Sequence, residues 1–314
     1  MARYRREVSV ALALLGLLGL LAVRAPGFFR PGNLSDLCVS NAPVLVGAVG
    51  MTIVILARQI DISIGSQFAI CGVAAGLLAK TGLPMPFVGI GALLAGALLG
   101  AVNGALVAGV GLPAIVVTLA TMVFLREGLR WATEGAWVQD LPHGFQWFGL
   151  GQATGRLAVV GIALLVFAAF AWGLRQLTAG RAVYATGSEP EAARLAGIRP
   201  RRVIFMSFVC MGALIGLASL LTSIQFIDVQ TNAGVGLELR VIAAVVVGGT
   251  TISGGRGTLA GTLLGVALLG VIGPALTFLG TEAHWERALQ GLVILLAVAT
   301  DALQAARKKG HGAA

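Results

Sequence analysis

Long apolar runs follow one another along almost the whole of this sequence, and they leave few folds open to the chain. Hydrophobic residues make up 57% of the 314 positions and charged residues only 11%, whereas soluble domains carry about 25% charged residues. A soluble domain of this length could not bury so much apolar surface, so a bilayer must solvate it. We therefore predict an all-α, polytopic membrane protein with a single transmembrane domain over residues 1–314.

Ten of the apolar runs are long enough to cross about 30 Å of hydrocarbon. The predicted spans are residues 8–23, 42–58, 62–79, 87–109, 112–130, 157–174, 203–224, 239–253, 257–280 and 284–300. The joints after the second and fourth spans are very short, which predicts tight hairpins. The eighth span is short and interrupted by glycines, so it is predicted to break or to re-enter the membrane, where irregular backbone must face protein or water.

The distribution of charge predicts which side of the membrane each loop occupies. The first run follows Arg3, Arg5 and Arg6 in the pattern of a secretion signal, but nine more runs follow and no clear cleavage site appears, so we interpret it as the first membrane helix. With the amino terminus in the cytoplasm, the inside segments hold fourteen of the 22 basic and five of the 13 acidic residues. The net charge of +9 then lies on the cytoplasmic face. We predict that both termini are cytoplasmic, and we expect no nucleic-acid partner because the arginines are spread over loops.

Two predicted spans carry small residues at every fourth position. The first stripe is Ala92, Gly96, Gly100, Gly104 and Ala108, and the second is Gly257, Gly261 and Gly265. A stripe of small residues lets neighbouring backbones approach closely, which favours helix association in lipid. We predict packing between helices of this chain; a seam between two copies is the alternative.

Motifs that support catalysis are absent from the sequence. Cys38, Cys71 and Cys210 have no C-x-x-C spacing, the three histidines form no metal-binding pair at helical spacing, and no Gly-Lys dipeptide exists to form a P-loop. Residues 255–260, GRGTLA, match the dinucleotide fingerprint, but the acidic residue that should follow is missing, so we interpret them as a glycine cluster of a membrane helix. We predict that the chain is not an enzyme and holds neither cofactor nor metal.

Residues 179–203 form a charged island between the sixth and seventh spans, on the side assigned to the cytoplasm. They include five arginines and two glutamates. Ser188 and Glu191 make the S-x-x-E pattern of a capping box, Pro190 suits a first helical turn, and Gly197 can end a helix. We predict a helix of about two to three turns, which is too short to be stable alone and must pack on something else. A solvated charged linker is the alternative.

This island also carries a family resemblance. The segment EAARLAG, residues 191–197, resembles the E-A-A-x-x-x-G loop with which permease subunits of ATP-binding-cassette importers dock on their ATPase. Residues 50–66 (GMTIVILARQIDISIGS), 112–135 (LPAIVVTLATMVFLREGLRWATEG), 180–198 (ending in YATGSEPEAARLAGI) and 236–265 (GLELRVIAAVVVGGTTISGGRGTLAGTLLG) look like the ribose-type sugar permeases. The similarity covers nearly the whole chain and looks closest to the rhamnose and autoinducer-2 branch.

The resemblance implies a subunit of a transporter in the bacterial inner membrane. Such permeases pair with a second identical or related copy, receive a sugar from a periplasmic binding protein, and are driven by a cytoplasmic ATPase, so ATP is used by a partner. Membrane lipid is the remaining expected partner. The residues that would couple this chain to the ATPase are Ser188, Glu189, Glu191, Ala192, Ala193, Arg194 and Gly197.

Three polar residues in or beside the apolar spans are candidates for a gate or a passage. Asp61 and Ser63 lie at the start of the third span, where Asp61 would hold an inner gate or brace the loop; a helix cap is the alternative. Asn103 lies within the apolar fourth span. A buried amide there is expected to bond a neighbouring helix, and lining the passage is the alternative.

The outer segment after the fifth span is a candidate surface for the binding protein. It contains Trp131, Trp137 and Asp140. Aromatic side chains serve as anchors in protein interfaces. An aromatic belt at the membrane surface explains the same tryptophans.

Two other functional classes compete with the permease subunit. A self-sufficient secondary transporter would carry ionisable residues near the middle of the membrane to bind coupling ions, and the predicted spans hold almost none away from their ends. A membrane enzyme or scaffold is the third class, and it lacks a nucleophile–base pair or a metal cluster. The sequence therefore favours a passive permease driven by a separate ATPase.

Overall fold

The computed structural model describes residues 5–280, together with Trp285, Ala288, Gly291, Leu292 and Leu295, and over this part of the chain it is an all-α protein. The helices within residues 5–280 are α1 (Arg5–Arg24), α2 (Pro31–Leu56), α3 (Ile64–Lys80), α4 (Met85–Gly104), α5 (Ala114–Thr133), α6 (Gln152–Gln176), α7 (Thr178–Ser188), α8 (Pro190–Leu195), α9 (Pro200–Ser223), α10 (Leu237–Val247) and α11 (Leu259–Phe278). The predicted fold class, a polytopic all-α membrane protein, is confirmed.

Nine of the ten predicted spans coincide with helices, although not all are full spans. Six helices of the described chain are long and apolar enough to cross a membrane: Glu7–Arg24, Pro31–Leu56, Met85–Val110, Gln152–Gln176, Pro200–Ser223 and Leu259–Phe278. The helix α3 is shorter, and α10 has only 11 residues. The tenth predicted span lies outside the described residues except at isolated positions, so the count of ten stays a prediction.

The helix α2 forms the centre of the bundle. Every residue from Ala42 to Leu56 is buried, so this stretch has no solvent- or lipid-facing side. A helix that is apolar all round is expected in the interior of a large bundle. It packs against α6, α9, α10 and α11, and these helices shield it.

The first small-residue stripe packs α4 directly on α9. A Cβ at Gly96 would overlap the carbonyl oxygen of Gly212, and one at Gly100 would overlap that of Phe208. The contact is reciprocal, because a Cβ at Gly212 would overlap the Gly96 carbonyl. The predicted close packing between helices of this chain is therefore confirmed.

The second stripe packs α11 on α10, with one correction. Gly261 lies against Gly248, and Gly265 lies against Ala244, both at backbone contact. Gly257 lies outside α11, which begins at Leu259. The interpretation of GRGTLA as part of a membrane helix is therefore wrong for its glycines, which belong to the turn before α11.

The first helix packs along the edge of the bundle on α11. The Oγ1 atom of Thr258 donates to Oε1 of Glu7 over 2.6 Å. At the other end, Leu21 and Phe28 are buried against Val271 and Ala275. Its apolar, largely exposed surface fits the interpretation of a membrane helix.

Candidate functional site

The charged island folds into two helices, not one. The eleven-residue α7 ends at Ser188, and the six-residue α8 begins at Pro190. The predicted capping box is wrong: Glu189 is the residue before α8, it has an extended backbone, and no side chain caps the helix. Ser188 is already the last residue of α7, and the Glu191 carboxylate is bonded to Arg194 instead.

The helix α8 ends next to Gly197, as the sequence predicts. Gly197 has a φ of 81°, in the left-handed region that favours glycine. The N–H of Ile198 donates to the Ala193 carbonyl over 3.0 Å, and the N–H of Gly197 donates to the Arg194 carbonyl over 3.0 Å. This pair of bonds is a Schellman motif, which ends the helix and turns the chain towards α9.

One face of α8 is free in the described structure. Glu191 and Arg194 form an ion pair with 3.0 Å between Oε2 and Nη2, and both side chains are largely exposed. Leu195 beside them is 84% exposed. Ala193 is buried, so it holds α8 to the protein and cannot meet a partner directly. Leu195 was not among the residues predicted from the sequence, although an apolar residue beside charged ones on a short loop helix is a usable signal.

The helix α7 fixes this surface to the membrane domain. Gly187 has no room for a Cβ, because the carbonyl oxygen of Leu56 and the N–H of Gly255 lie against it. Those two groups bond each other, with 3.0 Å from the Gly255 nitrogen to the Leu56 oxygen. The hydroxyl of Tyr184 donates to the Gly257 carbonyl over 2.9 Å. The end of α2 and the turn before α11 therefore hold α7 in place.

Three predicted gate or passage residues come together in one buried network. Oδ1 of Asp61 accepts from the backbone nitrogen of Ser63 at 2.9 Å and from its Oγ at 2.6 Å. Asn103, on α4, donates from Nδ2 to Oγ of Ser63 over 2.8 Å. The bond expected from the Asn103 amide to a neighbouring helix goes instead to Ser63, the residue just before α3, and a role of Asn103 in a gate or passage stays a prediction. Asp61 supports the turn before α3 by accepting from Ser63, whose own side chain does not cap the helix.

Gln67 completes this network, and it is not among the residues predicted from the sequence. Its Nε2 atom donates to Oγ of Ser63 at 2.7 Å and to Oδ2 of Asp61 at 3.2 Å. All four side chains are at most 1% exposed, so in this conformation they join α3 to α4 and line no open passage. Within the described residues, no three His, Cys, Asp or Glu side chains are close enough to hold a metal ion.

The outer segment after α5 packs against the chain that follows α9. Val138 and Val229 exchange two backbone hydrogen bonds of 3.0 Å each. Trp131 is 85% exposed and Trp137 is 46% exposed, and Asp140 is exposed with a φ of 55°. The structure thus presents all three predicted residues on one segment, and it leaves their role as a binding-protein surface a prediction.

Charged residues also occur inside the bundle, contrary to the expectation from the sequence. Arg126 lies well within α5, and Nη1 of its guanidinium donates to the Ala233 carbonyl over 2.8 Å. Glu238 and Arg240 lie in the first turn of α10, where Arg240 donates to Oδ1 of Asn41 over 2.9 Å. Arg126 is therefore an exception to the expectation that the spans carry almost no ionisable residues away from their ends, whereas Glu238 and Arg240 lie at a helix end. The position of Arg126 within the predicted fifth span was the available signal.

Comparison with known proteins gives a consistent family. Residues 33–298 match the family model described as branched-chain amino acid transport system / permease component. The autoinducer 2 import system permease protein LsrC of Enterobacter sp. (strain 638) is 35% identical over 94% of this chain and 86% of its own. The ribose import permease protein RbsC of Escherichia coli (strain K12) is 35% identical over 94% of this chain and 93% of its own. No solved structure matches the chain.

Proposed function

Because the chain belongs to the family of branched-chain amino acid transport system / permease components, we propose that it is the membrane-spanning subunit of an ATP-binding-cassette importer for a monosaccharide. The names of two relatives, a ribose import permease and an autoinducer 2 import system permease, support ribose or an autoinducer-2-like sugar as the substrate, and rhamnose is a candidate from the sequence resemblance alone. The importer lies in the bacterial inner membrane, with both termini of this chain in the cytoplasm.

The exposed face of α8 is the observation that carries this proposal. Leu195 is 84% exposed on a six-residue helix whose neighbours Glu191 and Arg194 are charged and exposed. Exposure of an apolar side chain to water is unfavourable, and an apolar side chain with charged residues around it is typical of a protein interface. We assign this face to a separate cytoplasmic ATPase, which supplies the energy that a passive permease lacks.

The attachment of α7 gives the ATPase a mechanical route into the membrane domain. A push on α8 passes through the tight Gly187 contact to the end of α2 at Leu56 and to the turn at Gly255. Backbone contacts of this kind have little free space, so they transmit displacement instead of absorbing it. In this mechanism α2 and α11 move together when the ATPase changes shape.

The network of Asp61, Ser63 and Asn103 would set how α3 follows that movement. The loop between α2 and α3 carries Asp61, and Asn103 ties it to α4. Breaking a buried, hydrogen-bonded network costs free energy unless new partners are found. The network therefore acts as a brace that holds the start of α3 against α4.

On the outer side, the exposed Trp131 and Trp137 with Asp140 would receive the sugar-loaded binding protein. A second copy of this permease, identical or related, would complete the transporter, and lipid surrounds the pair. ATP is consumed by the ATPase, and this chain itself carries no catalytic group or cofactor in the proposed mechanism.

The test replaces residues 191–195 by a Gly-Ser segment of the same length in the transporter reconstituted with its ATPase and binding protein. We expect ATP hydrolysis to lose its stimulation by the sugar-loaded binding protein, while the protein elutes from a sizing column like the wild type. The control is a replacement of the same kind at residues 81–84, in the outer turn between α3 and α4. Stimulation that survives the 191–195 replacement would contradict the proposal.

A further inference from the structure

Two helices begin deep in the bundle, and the irregular segments before them touch. The chain is not helical at residues 57–63 before α3, nor at residues 224–236 before α10. A Cβ at Gly65 would overlap the carbonyl oxygen of Gly234, and a Cβ at Gly234 would lie 2.6 Å from the carbonyl oxygen of Gly65. The two glycines therefore allow contact between the two backbones at the starts of α3 and α10.

This contact lies near the middle of α5, the helix that corresponds to the predicted fifth span. Oγ of Ser66, in the first turn of α3, donates to the Met122 carbonyl over 2.7 Å. Arg126, one turn further on, donates to the Ala233 carbonyl. Because a helix rises about 1.5 Å per residue, Arg126 lies roughly 18 Å from the start of α5 at Ala114. A hydrocarbon layer of about 30 Å has its centre at a similar depth.

An arginine and a glutamate meet at this depth. A Cβ on Gly65 would overlap Oε2 of Glu238 and lie 3.4 Å from Nη2 of Arg126, so both charged groups reach the space above Gly65. Oε1 of Glu238 also accepts from the N–H of Gly236 over 3.2 Å. Both residues are half-buried.

Lipid cannot be the neighbour of this surface. A charged side chain facing hydrocarbon near the bilayer centre costs several kcal/mol, and irregular backbone at that depth is tolerated only against protein or water. Next to Glu238 in the chain, Leu239 is 55% exposed, so this part of α10 is not covered by the described residues. The second permease copy that the proposed function requires fits this place, because it would cover the half-buried charges with protein and enclose water between the two copies.

The hydrogen-bonding groups of Arg126 and Glu238 indicate which class of solute they would bind. A guanidinium only donates hydrogen bonds, an ionised carboxylate only accepts them, and a hydroxyl group does both. Their opposite charges balance, so the pair offers no excess charge that would hold an ion. Resting on the proposed import function, we propose that Arg126 and Glu238 contact the hydroxyl groups of the sugar, in a passage enclosed between this chain and a second permease copy.

The test measures ribose uptake by the reconstituted transporter with its ATPase and binding protein. Arg126→Gln and Glu238→Gln remove one charge each, and we expect each to lower the rate of uptake at least tenfold. The control Arg24→Gln removes a charge at an outer, exposed position of α1, and it is expected to keep the wild-type rate. Normal uptake by both membrane variants would overturn the proposal.

A labelling measurement separates contact with sugar from a purely structural role. Glu238→Cys is made together with Cys38→Ser, Cys71→Ala and Cys210→Ala, and the assembled transporter is treated with a small, water-soluble methanethiosulfonate. We expect the thiol at position 238 to be labelled, and saturating ribose to slow the labelling severalfold. No labelling, or labelling that ribose leaves unchanged, would contradict the proposal. A wild-type transporter that takes up no sugar would instead overturn the proposed function itself.

Discussion

Gly187 on α7 lies directly against the carbonyl oxygen of Leu56 at the end of α2, without room for a Cβ. This contact connects the charged helices α7 and α8 to the central helix of the bundle. It joins residues 131 positions apart in sequence, so it forms only in the folded protein. The proposed transfer of energy from the ATPase depends on it more than on any other single contact.

Replacing Gly187 by Ala should therefore loosen α7 from α2. Because the new methyl group overlaps backbone atoms, which cannot rotate away, we expect a loss of about 1–3 kcal/mol of stability. The unfolding temperature, measured by thermal shift in detergent, should fall, and so should the stimulation of ATP hydrolysis. Gly161→Ala on α6 is the matched control, because nothing lies within 4 Å of a Cβ there. Equal behaviour of the two variants would refute the tight contact.

Gly212→Ala should destabilise the packing of α9 on α4. A Cβ at this position overlaps the Gly96 carbonyl, so the helices must separate or tilt. We expect a lower unfolding temperature in detergent and a loss of about 1–3 kcal/mol. Gly16→Ala on α1, where the Cβ meets nothing within 4 Å, should leave the unfolding temperature unchanged or raise it slightly. A Gly212→Ala protein as stable as the wild type would show that the helices are not in backbone contact.

Leu195→Glu should weaken binding of the ATPase far more than Arg194→Gln does. Burial of a leucine in an interface contributes about 1.5–3 kcal/mol, which corresponds to roughly a tenfold to hundredfold change in Kd. An exposed ion pair such as Glu191–Arg194 contributes only about 0.2–1 kcal/mol. The Kd of the purified ATPase for each variant is measured in detergent. The assignment fails if the two variants bind equally well.

Asn103→Ala and Ser63→Ala should be energetically coupled. The Asn103 amide donates to Oγ of Ser63 in a fully buried site, so Ser63→Ala leaves the amide without this acceptor, and either single variant removes the same hydrogen bond. A double-mutant cycle on the free energy of unfolding should give a coupling of about 0.5–3 kcal/mol. The same cycle with Ser40→Ala, which is exposed on α2, should give no coupling. Additive effects of Asn103→Ala and Ser63→Ala would exclude the bond.

The sequence predicts the parts of this fold that depend on local composition. Apolar runs identify the helices because the bilayer solvates only apolar segments, and glycine at every fourth position identifies the faces of α4 and α11 that pack closely. The end of α8 is equally predictable, since Gly197 adopts a backbone conformation that favours glycine.

The remaining features depend on contacts between distant segments. The capping box fails because Ser188 is already held at the end of α7, whose position is set by Leu56 and Gly255. The position of Arg126 within an apolar span is visible in the sequence, but its bond to the Ala233 carbonyl is not, because the two residues are 107 positions apart. Hydrophobic periodicity gives information about one helix at a time. Charged side chains within a membrane protein are satisfied by partners on segments that are remote in the chain, and periodicity does not predict these contacts.

Ribose uptake into proteoliposomes tests whether this permease depends on a separate ATPase. One preparation contains the chain together with the ATPase and the other contains the chain alone, and ATP is trapped inside both. The sugar is supplied outside with its binding protein. We predict ATP-dependent accumulation only when the ATPase is present, and its loss on Leu195→Glu. Accumulation driven by a proton or sodium gradient through this chain alone would contradict the proposed function and identify a self-sufficient transporter.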